Sequence, residues 1–238
     1  CKMIIGISFG YIDAMAEKAE EYPDVIFSHA TGYKSNGKNF NNYFGRIYQA
    51  RYLSGIAAGL KTKSNKIGYV AAMDVTNSEV TGGINAFAMG VESVNPNAKV
   101  YVKVTNSWFS PDLEKQAAEA LLDGGCDVIA QHCDTTAPQL AAQARGVWGV
   151  GYNSDMTKDA PKAHLTAPIW NWEVYYTKAT KAVMDGTWDG SNYYGGMDEG
   201  LVDISPLSEN CAEGTKEAID AAKAKIISGE NKIFAGEL

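Results

Sequence analysis

Short apolar runs alternate along this chain with stretches whose apolar positions recur every three or four residues. "CKMIIGISFG" reads as a buried-type strand ending at Phe9, and "YIDAMAEKAEEYP" carries Ile12, Met15, Ala16 and Ala19 at helical spacing until Pro23 stops it. "VIFSHA" is the next strand. Between residues 39 and 64 the positions Phe40, Phe44, Ile47, Tyr48, Arg51 and Gly55 fall along one stripe, predicting a long helix whose small residues near Gly55 to Gly59 pack closely. There follow a strand "KIGYVAAM", a helix "VTGGINAFAMGVESVNP", a strand "KVYVKVTNSW", a helix "PDLEKQAAEALLDGG", a strand "DVIAQHC", a helix "APQLAAQARG" and a strand "VWGVGYN".

Strict alternation with near-continuous Val/Ile strands predicts an α/β fold whose parallel sheets are covered by helices on both faces, a doubly wound architecture. Ligands of such folds bind beyond the carboxyl ends of the strands. The residues there are Phe9 and Tyr11, Asp74, Trp108 and Phe109, His132 to Asp134, Asn153 and Asp155, and Trp170 to Trp172. Aromatic and hydrogen-bonding groups dominate this set, and lysine and arginine are absent from it. Aromatic faces with carboxylates and amides suit an uncharged, planar ligand with polar edges.

Composition narrows the classes further. At 238 residues the chain admits two lobes or one large α/β domain, and 45% hydrophobic residues fit a packed protein. A net charge of -7 without a Lys/Arg-dense run argues against nucleic acid and against a polybasic membrane surface. Cys1, Cys126, Cys133 and Cys211 contain no CxxC, so no metal site is expected; Cys126 and Cys133 flank one strand, about 20 Å apart and too far to bridge. No apolar run reaches membrane-span length. The opening strand begins almost at once, so upstream residues are expected, and a lipid-modified Cys1 would be expected to precede a flexible polar tether instead.

Each candidate has a plainer role beside it. Trp170 and Trp172 can brace a hinge, and Asp134 and Asp155 can cap the helices that follow them. His132, Cys133 and Asp134 supply the parts of a cysteine hydrolase, but adjacent strand residues point to opposite faces, so no catalytic residue is expected. Gly82, Gly83 and Gly90 form no GxGxxG, and no cofactor is indicated.

Across nearly the whole chain, "SFGYIDAM", "YFGRIYQARYLSGIAAG", "NKIGYVAA", "GGINAFAMGVESVNP", "TNSWF", "DVIAQHCDTTAP", "GYNSDM", "APKAHLTAPIWNW" and "GGMDEGLVDI" occur in an order that resembles the basic membrane protein family of ABC-transporter substrate-binding proteins, the purine-nucleoside-receptor group. The resemblance implies the type I periplasmic-binding fold, two doubly wound lobes joined by three crossovers, here without the family's first strand and helix. It places residues 1–64 plus about 171–198 in one lobe and 65–170 plus about 199–238 in the other, with crossovers near 64–66, 168–171 and 198–203. It also implies extracytoplasmic capture of a purine nucleoside or purine base, in the periplasm or at the outer face of the membrane, in an interlobe cleft that closes on it. The partners would be an ABC permease and, through a possible lipid anchor, the membrane. Ligand contacts are expected from Phe9, Trp108, Asp134, Asn153, Asp155, Trp170, Asn171, Trp172 and Glu199, the last as an acceptor for ribose hydroxyls. Rival readings are a ligand-sensing domain of a signalling protein and a nucleoside-processing enzyme.

Overall fold

The computed structural model describes residues 1–234, and the chain forms two compact units, 1–46 with 171–201, and 47–170 with the segment from Val202 onward. In the first unit the strands β1 (Met3–Gly6), β2 (Ile26–Ala30) and β3 (Phe40–Gly45) and the helix α1 (Ile12–Glu21) come from the opening segment. The second unit then supplies α2 (Tyr48–Lys61), β4 (Lys66–Ala71), α3 (Ser78–Val94), β5 (Lys99–Val104), α4 (Pro111–Asp123), β6 (Val128–His132), α5 (Ala137–Ala144), β7 (Trp148–Val150), β8 (His164–Thr166) and β9 (Pro168–Trp170). The chain returns to the first unit for α6 (Glu173–Asp185) and β10 (Tyr193–Gly195), and ends in the second with β11 (Val202–Ile204) and α7 (Thr215–Ile227).

The second unit is built as the strand–helix alternation predicts. Its five-stranded sheet has the order β5-β4-β6-β7-β8 with every pairing parallel. Successive strand residues face opposite sides. Ile67, Tyr69, Ala71, Val128 and Ala130 pack with Ala58 of α2 and Val80, Phe87 and Val91 of α3. Val70 and Ile129 pack with Ala118, Leu121 and Leu122 of α4 and Ala141 and Ala142 of α5 on the other side. The central strands β4 and β6 are therefore covered on both faces, while the edge strand β5 is largely exposed. β9 and β11 form a separate antiparallel pair.

The first unit carries a parallel four-stranded sheet in the order β1-β2-β3-β10. Here the structure corrects the sequence reading: Phe40 to Gly45 are a strand, and helix begins only at Tyr48. Phe40 and Phe44 mimic a helical stripe, but Asn41 is buried in the strand, where its Nδ2 donates to Ser191 O at 2.8 Å and to Tyr175 Oη at 3.1 Å. Those partners arrive from far along the chain. Likewise β1 stops at Gly6, and Phe9–Tyr11 form a single 3₁₀ turn.

The units also divide earlier than residue 64. Helix α2 belongs to the second unit because its backbone lies directly against α3: a Cβ on Gly55 would come 2.2 Å from Phe87 O, and one on Gly90 would come 2.0 Å from Tyr52 O. The other two changes of unit fall at Trp170/Asn171 and Leu201/Val202. The expected second lobe runs to residue 238, and its residues 235–238 lie outside the described residues.

Candidate functional site

In the second unit the carboxyl ends of neighbouring strands bring a linked set of side chains together. The Asp134 amide donates to Trp108 O at 2.8 Å, joining the exits of β6 and β5. The His132 ring lies 5.9 Å from Trp108 and 5.1 Å from Tyr152, centroid to centroid, so the exit of β7 adjoins that of β6. Asn153 follows Tyr152, and its Oδ1 accepts the Trp170 indole N–H at 3.2 Å. Four of the expected contacts, Trp108, Asp134, Asn153 and Trp170, are thus carried on adjoining segments of one unit.

Behind them lies a buried polar cluster. Arg51, 1% exposed, reaches from α2 with its guanidinium 5.0 Å above the Tyr152 ring and Nη2 3.3 Å from His132 Nε2. A guanidinium only donates, so Nε2 accepts and the imidazole carries its proton on Nδ1, which faces Tyr69 Oη at 3.2 Å. Glu79 Oε1 stands 3.4 Å from the same Nε2. That nitrogen cannot accept from Arg51 and donate to Glu79 at once. Burial, and then the Arg51 charge, push His132 down to about 4, with Glu79 opposing.

Asp134 is the exposed group of the set. Its carboxylate has no hydrogen bond or ion pair among the described residues. Partial desolvation first, then the charges of Glu114 and Glu79, hold it above the ordinary carboxylate range. Glu114 is fixed in place, accepting from Ser110 N, Thr135 N and Thr135 Oγ1. Asp155, by contrast, spends one oxygen on its own turn, accepting from Thr157 N at 2.9 Å and Thr157 Oγ1 at 2.5 Å, and that oxygen lies 3.5 Å from His164 Nε2.

The first unit holds the remaining candidates. Trp172 caps α6 and packs edge-on against Tyr43 at 5.3 Å and along Tyr176 at 6.2 Å, within an aromatic cluster completed by Tyr175 and Tyr193. Asn171 is exposed, with its amide donating to Leu201 O at 2.8 Å. Phe9 is 58% exposed beside Tyr33. Glu199 Oε2 accepts from Tyr193 Oη at 3.2 Å, and Arg46 Nη2 donates to Asp198 Oδ1 at 2.9 Å. Arg46 corrects the expectation of exits without cations: it follows β3, whose misreading as helix hid it.

The family description "ABC transporter substrate-binding protein PnrA-like" matches residues 1–235. This chain belongs to the Bmp family. Two relatives align over almost all of it: a purine-binding protein of Brucella abortus, 43% identical over 100% of this chain and 67% of its own, and a candidate ABC-transporter glucose-binding protein of Haloferax volcanii, 42% identical over 98% of this chain and 59% of its own. A solved ABC-transporter solute-binding protein of Aeropyrum pernix shares the fold at a TM-score of 0.80 and 20% identity, over 96% of this chain and 76% of that one.

The Bmp family is one of ABC-transporter substrate-binding proteins. Cys133 is fully buried, burial and Glu114 push its thiol far up, and its Sγ lies 3.9 Å from Val70 O in the α4/α5 core. The imidazole next to it belongs to the Arg51 cluster. Among the described residues no three or more His, Cys, Asp or Glu are grouped to hold a metal, and no helix is long and apolar enough to cross a membrane. Sequence reasoning missed Arg46, Arg51, Glu79 and Tyr152. Arg51 carried a signal, a lone cation inside the small-residue face "ARYLSGIAAG".

Proposed function

We propose that the protein is the extracytoplasmic capture component of an ABC importer and that its solute is a purine base or nucleoside, bound without chemical conversion. The observation that carries this reading is the Asp134 carboxylate, without a partner among the described residues, on a residue whose backbone amide donates to Trp108 O at the strand exits of the second unit, with Trp170 tied to the next exit. A carboxylate already disfavoured by partial desolvation and two like charges gains from a ligand N–H, and an indole face offers a stacking platform for the heterocycle. The purine-binding relative supports the same choice.

A sugar is the second reading, favoured by the Arg46–Asp198–Glu199–Tyr193 group of charged and hydroxyl side chains and by the glucose-binding relative. Calorimetric titration with adenine, guanine, adenosine, guanosine, inosine and D-glucose separates the two. Purine heat without glucose heat is expected. Asp134→Asn should weaken binding roughly 10- to 100-fold, as loss of a charge-assisted hydrogen bond does. Glucose binding alone, or purine affinity unmoved in the variant, would remove the claim. The purine should also be recovered unchanged after long incubation.

A further inference from the structure

Asn153 combines three features that point away from its direct contact with ligand. Its backbone is left-handed, with φ of 55°, a conformation asparagine tolerates better than most residues. It forms an isolated parallel bridge with Ile169, the neighbour of Trp170 in β9. Its side-chain oxygen is occupied by the Trp170 indole N–H at 3.2 Å. Backbone and side chain are therefore both directed at the strand that carries the tryptophan.

We infer that Asn153 is a positioning residue: it fixes the orientation of the Trp170 ring, and any influence on the solute is exerted through that ring. The inference rests on the reading that solute binds at the strand exits of the second unit. Indole has a single polar atom, so one acceptor at Nε1 sets the rotation of the whole plane, and stacking is sensitive to that plane. β9 secures the other end of the residue, since Trp170 pairs with Val202 of β11. Asn153 thereby determines which flat ligands the ring can accept, while its own Oδ1 is not free to meet them.

The test is a double-mutant cycle on the full chain with Asn153→Gly and Trp170→Phe. Glycine keeps the left-handed backbone and removes the acceptor; phenylalanine keeps a ring and removes the N–H. Each single variant should weaken the best purine of the panel about five-fold, and the double variant should be no weaker than either, because both delete the same hydrogen bond. Asn153→Asp, which retains an acceptor, should recover most of the affinity. Independently of any ligand, the Trp170 indole N–H resonance, assigned by its loss in Trp170→Phe, should shift and exchange faster in Asn153→Gly. Additive losses in the cycle would place Asn153 on the ligand itself and overturn the inference, as would an indole resonance and exchange rate unchanged in Asn153→Gly. If no purine binds the wild type, the proposed function fails on its own, and the indole measurement still decides whether Asn153 holds the ring.

Discussion

Gly90→Ala should cost about 3 kcal/mol or more and lower the thermal midpoint by roughly 6–12 °C. The cause is local and steric. A Cβ at residue 90 would meet Tyr52 O at 2.0 Å and Tyr52 C at 2.9 Å, with Gly55 Cα at 3.2 Å. These are backbone atoms of α2, and no rotamer change moves them aside; the helices α2 and α3 must separate. That separation would open the core in which Ala58, Phe87 and Val91 pack against β4 and β6. Gly82, on the same helix, provides the control, since a Cβ there meets nothing within 4 Å. Gly82→Ala should be neutral or stabilising by up to about 1 kcal/mol, the usual gain of alanine over glycine within a helix. Chemical or thermal unfolding of both variants checks the pair, and a midpoint for Gly90→Ala within two degrees of wild type would refute the close-contact explanation.

Arg51→Ala is expected to cost about 3 kcal/mol at neutral pH and to flatten the acid side of the stability profile. Truncating a side chain that is 1% exposed leaves a cavity, and it deprives His132 Nε2 of its donor. The sign of the pH effect follows from the direction of the His132 shift. In the folded protein the imidazole is pushed from 6.5 down to about 4, so the unfolded chain binds a proton that the folded one refuses. This contribution is fully present above pH 6.5 and is lost as the pH falls toward 4, up to roughly 3 kcal/mol. The groups facing the ring are Arg51, Glu79, Tyr69 and Tyr152, and of these Arg51 is the one whose charge lowers the pKa. Without it burial still lowers the pKa but Glu79 opposes burial alone, the downward shift of His132 is smaller, and less stability is lost across the same interval. Urea unfolding at pH 5 and pH 7 reads the difference, and an unchanged pH slope in Arg51→Ala would contradict the assigned electrostatics.

Most of the second unit was legible in sequence because its central strands β4 and β6 are buried on both faces and β4, β5 and β6 are each followed by a helix, so hydrophobic period marks those elements. β3 was not. Its identity depends on β2 and on β10, which sits well over a hundred residues further along, while Phe40, Phe44, Ile47 and Tyr48 satisfy a helical period by coincidence. The same error concealed Arg46. At the candidate site, strand exits pointed to Trp108, Asp134, Asn153 and Trp170, but side-chain commitments within an exit could not be read from spacing. Asp155 is an exception, since Asp-x-Thr is the pattern of a carboxylate turned onto its own loop, and Asp74 with Thr76 repeats it. Arg51 and Glu79 reach the cluster from helices, one buried and one at a helix start, and only tertiary packing unites them with His132.

The interleaving of the two units has a consequence for synthesis. When β3 leaves the ribosome, one side of it has β2 as a neighbour and the other is bare, because the Ser191 carbonyl that Asn41 must reach is encoded 150 residues downstream. At ordinary translation speeds that wait lasts on the order of ten seconds. A strand with a naked edge is a template for aggregation until its partner arrives. For the same reason no single cut in the gene yields either unit whole, and a separately expressed half would have to be made by splicing its two separated segments together.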